Sequence, residues 1–252
     1  MKIIFIANIG QKYNAERYYL SERRIFNGFI RNGHDVWFFG DREEIRALSP
    51  LGIRHIGKKR VNEKLLKVID NFRPDAVFML NADIITVETI AEIKKNFPNI
   101  RLAQIIYDAL FFPQNRKKWH ERLNYIDSHF FTTAGEALKE FSYKNRPCYF
   151  IPNMSDKAID TGRAFDKEIY QYDVACIMGQ SCDRQTQESM LMSIRDELPS
   201  VNFIYRGFGG FPLARGHEYM NIFLDNSKCF FWNFSALYLS GFTICFFTIR
   251  KT

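Results

Sequence analysis

The 252-residue sequence lacks the short motifs that mark several large enzyme classes. It contains no G-x-x-x-x-G-K-[ST] loop, no H-E-x-x-H pair and no G-x-S-x-G turn, which argues against P-loop nucleotide hydrolases, zincin proteases and α/β-hydrolases. Gly207-Phe208-Gly209-Gly210 lacks the spacing of a dinucleotide fingerprint. The five histidines are scattered without ligand-like spacing, which argues against a structural zinc site.

The sequence also lacks the cysteine pattern of a secreted protein. Its five cysteines form no C-x-x-C pair, and several lie in apolar strand-like runs, where a reduced, buried thiol is the ordinary interpretation. The amino terminus has one lysine and a short apolar run without an A-x-A-like cleavage site, so we interpret it as a first strand and not as a signal peptide. We therefore predict a cytoplasmic location.

Composition indicates a globular chain with an anionic partner. The sequence is 46% hydrophobic and 16% aromatic, and its formal net charge is +7. That charge favours a nucleotide phosphate, a nucleic acid or an anionic membrane surface. The basic runs Lys58-Lys59-Arg60 and Arg116-Lys117-Lys118 are short and far apart, so solvated surface is favoured over a nucleic-acid-binding stripe.

Two segments look like the first strand of a parallel sheet. Residues 2–10 and 172–180 are both short apolar runs that end in small and polar residues and lead into a helical stretch. A run that is apolar on both faces is typical of a strand covered by helices on each side. We therefore predict an α/β fold with two Rossmann-like, doubly wound domains that face a cleft, with ligands at the carboxyl ends of the strands.

Strands and helices alternate along the rest of the chain, as parallel sheets with right-handed crossovers require. The predicted domains are 1–154 and 172–252, joined by a linker at 155–171, and the second domain is short for a complete one. The predicted strands are 2–7, 34–40, 76–80, 100–107, 128–132, 148–151, 174–178, 202–205 and 229–234, and the predicted helices are 15–32, 63–71, 86–97, 115–124, 136–144, 186–198 and 217–226.

The carboxyl-terminal tail has an unusual composition. No residue between Cys229 and Ile249 is charged, a length that almost spans a bilayer, but polar residues interrupt it throughout. Three interpretations stay open: further strands, a tail that does not pack, and, as the less favoured, a membrane segment.

Polar residues at strand ends form the predicted site of the first domain. Asn8 and Gly10, Asn81 and Asp83, and Tyr107-Asp108 follow strands that share one direction, so they belong to one edge of the sheet. We predict Asn8, Gly10, Asn81 and Asp83 as acceptor contacts. Asp108 is the candidate general base, since a carboxylate over a cleft can take a proton from a hydroxyl, although a capping role is the alternative.

In the second domain, small and basic residues suggest a diphosphate site. Gly179 and Gln180 would form a loop whose N–H groups approach a phosphate at the start of the next helix, and Arg184, Arg206 and Gly207 lie in the same predicted region. A surface arginine is the alternative for both Arg184 and Arg206. Asn81-Ala82-Asp83 only approaches a paired-aspartate metal motif, so we predict a metal-independent site without a cofactor.

These residues resemble the CgeB-like glycosyltransferases, named for a spore maturation protein and built from two Rossmann-like domains in the GT-B arrangement. The resemblance runs from about residue 2 to about residue 235. It rests on the order of several loose motifs along the chain, which are Ala7-Asn8-Ile9-Gly10, Arg73-Pro74-Asp75, Tyr107-Asp108, Ile151-Pro152-Asn153, Tyr172-Asp173-Val174 and Met178-Gly179.

The resemblance implies transfer of a sugar from a nucleotide-diphosphate donor, held mainly by the second domain, to a glycan, protein or lipid acceptor against the first. In relatives the second domain continues, whereas this sequence departs from the pattern near Ala236, so we expect a truncated or frame-shifted product with donor binding and catalysis in doubt. The alternatives are a non-catalytic module that binds a glycan or partner, and a nucleotide-sugar epimerase.

Overall fold

The computed structural model describes residues 1–49, 54–107, 113–139, 147–177, 185–207, 212–224 and 227–232. The chain divides into two compact units, Met1–Asp156 and Lys157–Thr252. Each unit has a parallel sheet of its own.

The first unit is built on a six-stranded parallel sheet in the order β2-β1-β3-β4-β5-β6. Its first strand is enclosed beyond the exposed Lys2, with every residue from Ile3 to Ala7 at 0% exposure, because helices cover both faces. The strands are β1 Lys2–Ile6, β2 Asp35–Phe39, β3 Ala76–Leu80, β4 Arg101–Ile106, β5 Ser128–Phe131 and β6 Cys148–Phe150.

Helices lie on both faces of this sheet. The helices are α1 Ser21–Arg31, α2 Asp41–Leu48, α3 Arg54–Phe72, α4 Val87–Asn96, α5 Pro113–Arg122 and α6 Glu136–Lys139. The Phe5 side of β1 packs against α1 through Phe29 and its neighbours. The Ile4 side packs with α2, α3 and α4 in a second cluster that includes Leu65 and Ile90. The sheet is therefore doubly wound, as predicted.

The helices differ from the prediction in several places. Helix α2 is absent from the prediction. The helix predicted from residue 15 begins at Ser21, because a 3-10 turn at Gln11–Tyr13 and left-handed backbone at Asn14 and Ala15 come first. Helix α3 begins at Arg54 and not at residue 63.

The second unit repeats the local strand order of the first. Its described elements are β7 Tyr172–Ile177, α7 Gln185–Glu197, β8 Phe203–Arg206, α8 Gly216–Leu224 and β9 Ser227–Trp232. All pairings are parallel in the order β8-β7-β9, which matches β2-β1-β3. The predicted α/β fold class with Rossmann-like sheets is confirmed. The predicted domain limits stay a prediction; the segment 155–171 contains a 3-10 turn at Ala164–Asp166 and a buried Ile159.

Within the described ranges, no helix combines the length and the apolar character needed to cross a membrane. Residues 233–252 of the apolar tail lie outside those ranges, so its three interpretations stay predictions. The Cys176 thiol is fully buried in β7, and burial raises its pKa to about 12, as expected of an unreactive core cysteine.

Candidate functional site

The strand order of the first unit creates a switch point at β1. Ile6 pairs with Phe39 of β2 on one side and with Met79 of β3 on the other. The chain reaches Asn8 and Asn81 two residues beyond the last registered pair of β1 and β3, and adjacent strands lie about 5 Å apart. Open α/β sheets bind ligands in the crevice outside such a switch point.

The loop after β1 has a tight, defined geometry. The Asn8 Oδ1 atom accepts a hydrogen bond from the Gly10 N–H at 2.9 Å. Gly10 has a φ of 73°, and a Cβ at this position would lie 3.2 Å from the side chains of both Leu20 and Tyr13. Glycine is therefore required here for both backbone conformation and space.

The loop after β3 contains two consecutive left-handed residues. Asn81 has a φ of 58° and the buried Ala82 has a φ of 43°. Asparagine tolerates this conformation, whereas alanine at positive φ is strained by about 1–3 kcal/mol. Strain of this kind persists only where the surroundings enforce it.

Arg122 of α5 enforces that conformation. Its guanidinium donates to the carbonyls of Asn81 at 3.2 Å, Ala82 at 2.8 Å and Ile85 at 2.7 Å. The residue is only 3% exposed. Burial lowers the pKa of Arg122 while the charges of Asp83 and Asp41 raise it, and an arginine stays charged throughout.

Two further side chains hold the same loop. Asn62 of α3 donates to the Ile84 carbonyl at 3.0 Å and accepts from the Thr86 N–H at 3.0 Å. The buried Asp41 carboxylate accepts from the Ile84 N–H at 3.1 Å, and burial raises its pKa. Together with Arg122, these residues fix residues 81–86, which we call the β3 loop, from three separate helices.

The β3 loop presents Asp83 to solvent beside α2. The Asp83 carboxylate forms an ion pair with Arg42, and its side chain is 36% exposed. The structure thus brings all four predicted acceptor residues, Asn8, Gly10, Asn81 and Asp83, to the carboxyl edge of β1 and β3. Their roles stay predictions. Asp108, the candidate base, lies outside the described residues, directly after Tyr107 at the end of β4.

Sequence reasoning missed a basic group in the loop after β1. The Lys12 Nζ atom lies 4.5 Å from the Tyr13 ring centroid, and the Arg17 guanidinium carbon lies 4.1 Å from it. A hydrogen bond with Lys12, followed by the charges of Arg17, Lys12 and Arg46, lowers the pKa of Tyr13. The spacing Lys-Tyr-x-x-x-Arg after a first strand was the signal available. We call Lys12, Tyr13 and Arg17 the Tyr13 group.

On the predicted donor side, two of the five residues are described. Gly179, Gln180 and Arg184 lie outside the described residues. Arg206 and Gly207 lie at the carboxyl end of β8, where Gly207 has a φ of 86°. The Arg206 Nε atom donates to the Glu218 carboxylate of α8 at 2.9 Å, so this arginine already has an anionic partner.

Two other features of the described ranges bear on a site. These ranges contain no group of three or more His, Cys, Asp or Glu residues able to hold a metal ion. An open cavity of about 400 Å³ lies at the amino end of β8, between Arg195, Pro199 and Phe203. That is the opposite edge of the sheet from the one where α/β sheets bind ligands, so we do not assign the cavity to the site.

Comparison with known proteins identifies the fold. No protein-family model matches the chain, and no curated protein matches it. One similar solved structure is a putative UDP-N-acetylglucosamine 2-epimerase from Listeria monocytogenes, with a TM-score of 0.51 and 11% identity over 88% of this chain and 70% of that chain. Another is UDP-GlcNAc 2-epimerase from Neisseria meningitidis bound to UDP-GlcNAc. It has a TM-score of 0.45 and 12% identity over 90% of this chain and 71% of that chain. At 11% identity, the similarity to the Listeria structure concerns the Rossmann-like fold alone.

Proposed function

We propose that this chain is a CgeB-like, GT-B-type glycosyltransferase that transfers a sugar from a nucleotide-diphosphate donor to an acceptor. One observation carries the proposal. The β3 loop is held in a strained conformation by three buried side chains, and it follows β3, the strand that pairs with the one leading to Asn8. Strain of this kind clusters at ligand sites, where it preorganises the contacts.

The acceptor binds at this edge of the first sheet. Asn8 and Asn81 offer amide groups, and Asp83 offers a carboxylate that can accept hydrogen bonds from sugar hydroxyls. Asp108 takes the proton of the attacking hydroxyl, since it follows the neighbouring strand β4. Gly10 lets the chain turn closely past the ligand.

The donor diphosphate binds at the carboxyl end of the second sheet. Gly179, Gln180 and Gly207 supply backbone N–H groups, and Arg184 and Arg206 supply positive charge. Arg206 exchanges its Glu218 partner for the diphosphate. These cations neutralise the leaving diphosphate, so the reaction proceeds without a metal ion or a cofactor.

A nucleotide-sugar epimerase is the second candidate, because the similar structures from Listeria and Neisseria carry that activity in their names. A non-catalytic glycan- or partner-binding module is the third. Product analysis separates the three. The transferase releases nucleoside diphosphate only when an acceptor is present, the epimerase isomerises the donor without an acceptor, and the binding module does neither.

The decisive experiment incubates the full chain with a panel of nucleotide sugars, with and without candidate acceptors, and measures nucleoside diphosphate release. Asp83→Asn is expected to reduce kcat/KM, whereas Asp35→Asn, the same charge change at the opposite edge of the sheet, is expected to leave it unchanged. Asp108→Asn is expected to reduce kcat by about 100-fold or more, as loss of a general base does. Donor isomerisation without an acceptor would overturn the transferase proposal.

A further inference from the structure

The Tyr13 group concentrates positive charge at the switch point. Two cations, from Lys12 and Arg17, lie within 4.5 Å of one aromatic ring. Among the described residues, neither cation forms an ion pair with a carboxylate. Arg46 of α2 adds a third positive charge, which also lowers the pKa of Tyr13. The Arg46 guanidinium lies 3.9 Å from the Glu43 carboxylate of the same helix.

This arrangement differs from the other basic side chains near the site. Arg122 is saturated by three backbone carbonyls, and Arg42 is paired with Asp83. Lys64 is likewise paired with Glu44. Lys12 and Arg17 therefore keep their positive charge available to an anion, which is attracted by both.

The Tyr13 group is also placed where a ligand at the switch point would meet it. The 3-10 turn that carries Lys12 and Tyr13 begins directly after Gly10, and the Tyr13 ring packs against the position that a Gly10 Cβ would occupy, at 3.2 Å. Asn8 lies at the start of the same loop and forms its turn. A ligand at the switch point therefore lies near the loop that carries both Asn8 and the Tyr13 group.

We propose that the Tyr13 group binds a phosphate group of the ligand, with Lys12 and Arg17 as its cationic contacts and the Tyr13 hydroxyl as a hydrogen-bond donor. This inference rests on the proposed function and deepens it, because it makes the acceptor a phosphorylated sugar or lipid. The same phosphate chemistry also occurs in the nucleotide donor, so the experiment has to distinguish the two sources.

The test is calorimetric titration of the full chain with four probes: inorganic phosphate, glucose 6-phosphate, glucose and UDP. We expect glucose 6-phosphate and inorganic phosphate to bind, and glucose to bind at least about tenfold more weakly than glucose 6-phosphate. The double variant K12Q/R17Q is expected to lose at least about tenfold in affinity for both phosphate probes, with a smaller salt dependence. The matched control K67Q/K95Q removes the same charge from exposed sites on α3 and α4 and is expected to bind as the wild type does.

The results separate this inference from the proposed function. The inference is overturned if the phosphate probes bind neither the wild type nor K12Q/R17Q. It is also overturned if they bind K12Q/R17Q as tightly as the wild type. If K12Q/R17Q weakens UDP but not glucose 6-phosphate, the phosphate is that of the donor, and the phosphorylated acceptor is overturned. The proposed function is tested separately, by nucleotide-sugar binding to the wild type and to Arg206→Gln. If the chain binds phosphate at the Tyr13 group but binds no nucleotide sugar, the phosphate site stands and the glycosyltransferase proposal is overturned.

Discussion

Substitution of Arg122 by methionine tests the central structural element of the site. Methionine keeps much of the side-chain length and flexibility but donates no hydrogen bond. The change leaves the carbonyls of Asn81, Ala82 and Ile85 without their buried donor. The β3 loop then loses the contacts that hold its two left-handed residues.

The expected cost follows from the hydrogen-bond distances. The bonds to Ala82 and Ile85, at 2.8 and 2.7 Å, involve a charged donor and contribute about 1.5–3 kcal/mol each, whereas the bond to Asn81 at 3.2 Å contributes less. Removal of the guanidinium also removes the cost of burying its charge, which offsets part of this loss. The same burial lowers the pKa of Arg122. We expect a net loss of about 3 kcal/mol from an ordinary total of about 5–15 kcal/mol.

Urea unfolding, followed by tryptophan fluorescence, to which the buried Trp119 on the same helix contributes, measures this loss. Hydrogen exchange is expected to accelerate in the β3 loop by about two orders of magnitude. Lys117→Met, an exposed change on α5, is the control and is expected to stay within about 0.5 kcal/mol of wild type. A loss below about 1 kcal/mol in R122M, with the β3 loop still protected from exchange, would refute the claim that Arg122 holds this loop.

Further predictions concern the backbone turn and the buried carboxylate. Gly10→Ala is expected to destabilise the chain by about 1–2 kcal/mol in urea unfolding, because φ is 73° and the added Cβ lies 3.2 Å from two side chains. Gly28→Ala in α1, where nothing lies within 4 Å of the added Cβ, is expected to stabilise the chain by about 0.5–1 kcal/mol. Equal changes in the free energy of unfolding for Gly10→Ala and Gly28→Ala would contradict this account. Burial raises the pKa of Asp41 in the folded state, so its protonated form favours folding below the unfolded pKa of about 4, and this stability is lost as pH rises through the folded pKa. The stability of wild type relative to Asp41→Asn is therefore expected to fall as the pH rises above about 4 in urea titrations, and a constant difference would contradict it.

The strands were accessible to sequence reasoning because a doubly covered strand leaves a continuous apolar run. The run from Ile3 to Ala7 is such a case. The shared direction of parallel strands also correctly placed Asn8 and Asn81 at one edge of the sheet. These predictions use local pattern and topology alone.

The contacts that shape the site depend on residues distant in the chain. Arg122 ends a helix rich in charge, where sequence alone predicts a solvated side chain, and its burial follows only from the packing of α5 against the β3 loop. Asn62 likewise lies in the middle of α3 without a local signal. Helix α2 was missed because its eight residues contain few apolar positions.

Nucleotide-sugar binding by the full chain tests the proposed function most directly. Isothermal titration with a panel of nucleotide-diphosphate sugars is expected to show saturable binding of at least one, weakened about tenfold or more by Arg206→Gln but not by Arg163→Gln, an exposed arginine of the same unit. Absence of binding across the panel, or equal affinity in Arg206→Gln and wild type, would contradict the account.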